Sequence, residues 1–96
     1  MPYYTSLPTF DREFKKLNAE EKLAFMAAVR KLIQSLNSGQ GIPGLPLIRK
    51  LSGYNLYELR WAADGRATFE YVDDPVLQAN KVIWRRVGGH SVLNNP

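Results

Sequence analysis

There is no cysteine in these 96 residues, so disulfides and thiolate metal sites are excluded and a reducing, cytoplasmic setting is expected. Only one histidine is present, and the carboxylates show no ligand spacing, so neither a metal nor a cofactor is expected. Long apolar runs are missing as well. The longest, around Leu23 to Met26, falls far short of the roughly 20 residues a membrane helix needs, and no basic start followed by an apolar block marks a leader. Ser6, Ser35, Ser38, Ser52 and Ser91 lie in no nucleophile-elbow context, which removes a hydrolase triad. The glycines of GQGIPGLP, Gly39 to Pro46, are followed by no Gly-Lys-Ser/Thr, so that stretch reads as a plain connector.

What is present is basic. Thirteen Lys and Arg against nine Asp and Glu give a net charge of +4 and a pI near 9.6. That balance suits an RNA, DNA or acidic protein partner, or a small basic protein whose charges only keep it dissolved. Residues 1–96 suffice for one domain with a single core, and 45% hydrophobic residues place it among folded chains rather than disordered ones.

Pro2 to Leu7 reads as a short first strand that Pro8 closes. Thr9 is positioned to cap a helix carrying Phe10, Phe14 and Leu17 on one stripe. Asn18 followed by Glu21 is a reciprocal capping pattern that starts a longer helix, with Leu23, Met26, Val29, Ile33 and Leu36 as its buried stripe and Gly39 at its end. Leu47 to Leu51 suits a short strand or the approach to one. Then come Leu56 to Trp61, a turn at Asp64-Gly65, Arg66 to Val72, and a last strand from Lys81 to Val87. The expected fold is α+β, in the order β-α-α-β-β-β, with a helical hairpin covering one side of a small sheet.

Alternation places Leu56, Glu58 and Arg60 on one strand face, and Arg66, Thr68 and Glu70 on one face of the next. Gly88-Gly89 lets His90 bend back over the sheet. Arginine forks bind phosphate in pairs, and His90 is the one side chain with an ordinary pKa near neutrality. Together they suit metal-free cleavage of RNA, where charge on phosphorus oxygens is stabilised and protons are moved. The same alternation also describes an ordinary solvated face with cross-strand pairs such as Arg60 and Glu70. Strand alternation further implies that the adjacent Arg85 and Arg86 face opposite ways.

The helical pair DREFKKLNAEEKLAFMAAVRKLIQSL, the run KLSGYNLYELR, the hairpin strand GRATFEY and the ending VIWRRVGGH, in that order, resemble the RelE/ParE superfamily of type II toxins. The RelE-like and HigB-like mRNA interferases are the nearest in pattern. The resemblance implies a twisted antiparallel sheet with two helices on one side and a concave basic face on the other. It also implies cleavage of mRNA, commonly on the ribosome, and neutralisation by a cognate antitoxin. By position it assigns proton transfer to His90, transition-state charge to Arg66 and phosphate positioning to Arg60, with Arg49, Lys50, Arg85 and Arg86 as RNA contacts by charge. Two departures stand out: Glu58 replaces a lysine found in some ribosome-dependent relatives, and no tyrosine follows His90. A gyrase-poisoning toxin of the ParE branch and an inactive module that only docks an antitoxin are the competing readings.

Overall fold

In the computed structural model, which describes residues 3–96, the chain runs β1 (Tyr3–Ser6), α1 (Pro8–Lys16), α2 (Ala19–Asn37), β2 (Ile48–Lys50), β3 (Tyr57–Arg60), β4 (Arg66–Asp74), β5 (Ala79–Gly88) and a 3-10 turn (His90–Asn94). Pro2, expected in the first strand, lies outside the described residues. The α+β reading holds, with two refinements. Ile48–Lys50 is a full member of the sheet, whose order is β1-β5-β4-β3-β2. The sheet is mixed rather than wholly antiparallel, because the helical crossover returns the chain so that β1 lies parallel to the last strand, β5.

Pro8 opens α1 instead of merely closing β1. It occupies the first helical turn, where its missing N–H costs nothing, and the cap is Leu7 rather than Thr9. The reciprocal cap at Asn18 forms as expected: its side chain accepts from the Glu21 N–H, and Glu21 accepts from the Asn18 N–H, both at 2.8 Å. The buried stripe of α2 differs from the expected one. Phe25, Ala28, Val29, Leu32 and Leu36 face the sheet, while Leu23 and Met26 are exposed. Apolar residues fill most of the circumference from Leu23 to Val29, so spacing alone permits either stripe. Phe25 decides it by packing edge-on against Trp84, ring centroids 5.3 Å apart, and against Trp61.

Leu59, Ala67, Phe69, Val82 and Val87 complete this core from the sheet, all essentially solvent-free. Each large apolar side chain so buried contributes about 1.5–3 kcal/mol. One irregularity shapes the opposite face. Thr68 pairs with Arg86 but Phe69 pairs with Trp84, so Arg85 is an extra residue in a β-bulge. The bulge shifts the alternation of β5: Val82 and Trp84 face the core before it and Val87 after it. Arg85 and Arg86 therefore do not point to opposite faces, as plain alternation requires; both reach the C-terminal segment, Arg86 while also pairing with Glu13 of α1 at the sheet edge.

Candidate functional site

On the sheet face away from the helices, side chains of paired residues line up across strands. One row runs Arg49, Glu58, Thr68, Arg86 from β2 to β5. The next runs Arg60, Arg66, Gly88. Register thus brings Arg60 and Arg66 directly opposite each other, and Glu58, two residues before Arg60, lies under both.

Glu58 is the centre of the arrangement and has no exposed surface. Its Oε2 accepts from Arg49 Nε at 3.0 Å and Nη2 at 2.7 Å, and its Oε1 accepts from Arg60 Nε at 3.1 Å. Arg66 Nε lies 3.0 Å from the same Oε1, an ion pair without the alignment of a hydrogen bond. Burial pushes this carboxyl's pKa up, but the hydrogen bonds and charges of Arg49 and Arg60 outweigh it and hold the group below its ordinary value. Three guanidiniums around one carboxylate leave the cluster cationic.

The two central arginines are held differently. Arg66 is buried, and its Nη1 reaches the carbonyls of Ala62, Ala63 and Gly65, stapling the β3–β4 loop. Arg60 is pinned only at Nε; its side chain is 39% exposed and its two fork nitrogens have no protein acceptor among the described residues. The expected Arg60–Glu70 pair does not form, because Glu70 sits four residues beyond Arg66 in the register and pairs with Arg85 at 2.7 Å.

His90 begins the 3-10 turn two residues after Gly88, the partner of Arg66. A Cβ at Gly89 would stand 2.7 Å from Asp64 Oδ2, the tip of an exposed side chain on the hairpin loop that the strand passes before the turn. Val92 is buried and holds the turn against the sheet. The imidazole itself is exposed and makes no hydrogen bond to Arg60 or Arg66 among the described residues. The sheet thus unites Arg60 and Arg66, while His90 follows Gly88, the last residue of their row, by two positions.

The remaining candidates are spread out. Arg49 joins the Glu58 cluster; Lys50 is exposed opposite Tyr57. Arg85 donates to Glu70 and the Pro96 carbonyl, and Arg86 to Glu13 and the Asn95 carbonyl. Thr68 also donates to Pro96, so the C-terminal segment lies over this part of the face. Tyr57 stacks on Phe69 in the core and Tyr71 accepts from Asn80, so neither stands free at the site. Sequence reasoning missed Glu58 as the hub. The pattern placed it on the right face, but its burial follows from the pairing of β2 with β3, which no local motif announces.

No family model matches this chain, and no curated protein matches it. Solved structures do. The chain is similar to one in the RelB-RelE antitoxin-toxin complex from Methanococcus jannaschii, at 20% identity and a TM-score of 0.60 over 95% of each chain. It is similar to the YoeB/ParE toxin from Agrobacterium tumefaciens, at 11% identity and 0.69 over 92% of this chain and 98% of that one. A chain of the DinJ-YafQ complex from E. coli matches at 17% identity and 0.63 over 97% and 98%. The fold is therefore the one shared by these RelE, ParE and YafQ toxins.

Proposed function

We propose that this chain is the toxin of a type II toxin-antitoxin pair and an endoribonuclease that cuts mRNA, with the ribosome presenting the strand. The observation that carries the reading is the cross-strand row Arg60, Arg66, Gly88, with His90 just past its end. Arg60, pinned at Nε and free at its fork, offers two parallel donors to one phosphate. Arg66 adds fixed positive charge beneath the phosphorus, where negative charge grows as the 2′-hydroxyl attacks. Glu58 has no exposed surface and is held ionised by its arginines, so it orients the forks and does not reach a substrate hydroxyl. Proton transfer to the departing 5′-oxygen then falls to His90, exposed on a short turn, while solvent water takes the proton that the attacking 2′-hydroxyl gives up. No metal is required by this chemistry.

The cognate antitoxin, in this reading, supplies an acidic segment that covers the cationic row. Expression of the chain alone is expected to arrest growth and fragment transcripts, and coexpression with the protein encoded by the adjacent gene to restore growth. Growth arrest with intact transcripts and gyrase-dependent DNA breaks would replace the ribonuclease with a gyrase poison.

One observation favours a second reading: Arg66 spends its guanidinium on three loop carbonyls and Glu58. A chain whose arginines serve only structure would bind the antitoxin and leave growth unaffected.

A further inference from the structure

Beside the Arg60–Arg66 row, a recess of about 460 Å³ opens between α2 and the β3–β4 loop, lined by Lys31, Pro46, Leu47, Arg60, Trp61, Ala62, Ala63 and Arg66. Its volume lies in the range of about 300–1,000 Å³ typical of small-ligand sites. Its chemistry is divided. Lys31, Arg60 and Arg66 supply positive charge with no carboxylate among the lining residues, while Pro46, Leu47 and the loop alanines supply an apolar wall. Lys31 is exposed on α2 and has no ion-pair partner among the described residues. The Arg60 N–H donates to the Leu47 carbonyl at 2.9 Å, tying the apolar wall to the arginine that enters the recess. Trp61, a core residue whose Nε1 is buried without a partner among the described residues, also lines it.

We infer that this recess is a nucleotide subsite, taking one nucleotide of the single-stranded RNA next to the scissile linkage. Its phosphate lies at Lys31 Nζ, one linkage on from the phosphate that the Arg60 fork holds, and its sugar or base rests on Pro46 and Leu47. The inference rests on the ribonuclease reading and extends it from the reacting phosphate to the strand around it. A strand laid over Arg60 and Arg66 has the recess as its next stop, and the free fork of Arg60 suits two oxygens of one phosphate better than carboxylates spaced along a peptide. Lys31, on a helix outside the sheet, becomes a specific RNA contact.

A five-nucleotide RNA with 2′-O-methyl groups, which blocks the attacking oxygen, tests this by fluorescence anisotropy across a salt series. Against the wild-type chain, Lys31→Gln is expected to weaken binding roughly 5- to 10-fold at low salt and to lower the salt slope by about one. Arg30→Gln removes the same charge one residue away, outside the recess, and is expected to leave both values near wild type. The RNA, but not a hexaglutamate peptide at equal charge, is expected to shift the Trp61 indole resonance. Equal losses for Lys31→Gln and Arg30→Gln, no loss for Lys31→Gln, or a Trp61 shift with the peptide alone would each overturn the subsite. If the wild-type chain still cuts transcripts in that case, the ribonuclease reading survives. A wild-type chain that neither binds the RNA nor cuts transcripts overturns both.

Discussion

Glu58 and Arg66 meet through a single oxygen: Oε1 lies 3.0 Å from Arg66 Nε while accepting a hydrogen bond from Arg60 Nε at 3.1 Å. One buried carboxylate therefore sets the spacing of the two arginines that face each other across β3 and β4. Glu58→Gln keeps the shape and removes the charge, leaving three guanidiniums to repel one another. The expected cost is about 2–3 kcal/mol, below the ~3–5 kcal/mol of a fully buried pair because Arg49 and Arg60 reach water. Urea denaturation measures it; a loss under about 0.5 kcal/mol would show that Glu58 does not hold the cluster.

The same carboxylate makes stability depend on acid. Its folded pKa lies below the ordinary 4.5, so its contribution is complete above the unfolded value and declines as pH falls toward the folded one. Unfolding free energy of the wild-type chain is expected to drop through this acid window. Glu58→Gln is expected to show a flatter profile there, and parallel profiles would contradict the assignment.

Much of the architecture was legible because its signals are local. The Asn18–Glu21 cap, the Asp64-Gly65 turn and the alternation of Glu58 with Arg60 each depend on a few neighbouring residues. The stripe of α2 was not, since a helix apolar over most of its surface leaves the choice to the aromatic residues it meets. The common face of Arg85 and Arg86 was hidden by a one-residue bulge, and the Arg49–Glu58 contact by pairing across nine residues. The Arg60–Arg66 row lay between these cases. Alternation gave the faces of Arg60 and Arg66, but register alone made them partners.

Glu13 illustrates a joint the pattern did not disclose. Where β1 ends, its carboxylate takes over the edge of β5, accepting from Arg86 at 2.7 Å and from the Val87 N–H at 3.3 Å. The hydrogen bond to Glu13 raises the Arg86 pKa above its ordinary value. Glu13→Ala is expected to cost about 1–3 kcal/mol and to speed hydrogen exchange at the Val87 amide selectively. Uniform exchange across β5 would indicate a different cause.

Gly65 is a packing requirement. A Cβ there would stand 2.6 Å from the Trp61 ring, which is buried behind the hairpin loop. Gly65→Ala is expected to displace the ring, lowering stability by about 1–3 kcal/mol and weakening the near-ultraviolet dichroism of tryptophan. An unchanged spectrum and melting temperature would mean that the loop adjusts without moving Trp61.

The most direct measurement is the chemistry of the cut ends. Purified chain, added to a translating extract and freed of divalent metal only after the reaction, is expected to leave 2′,3′-cyclic phosphate and 5′-hydroxyl termini on mRNA. Arg60→Ala, which also withdraws one partner from Glu58, and His90→Gln, an exposed substitution, are expected to slow cutting at least 100-fold in the folded variants by removing phosphate positioning and proton transfer. Full activity in either folded variant, or 5′-phosphate ends from the wild-type chain, would contradict a site built on Arg60, Arg66 and His90.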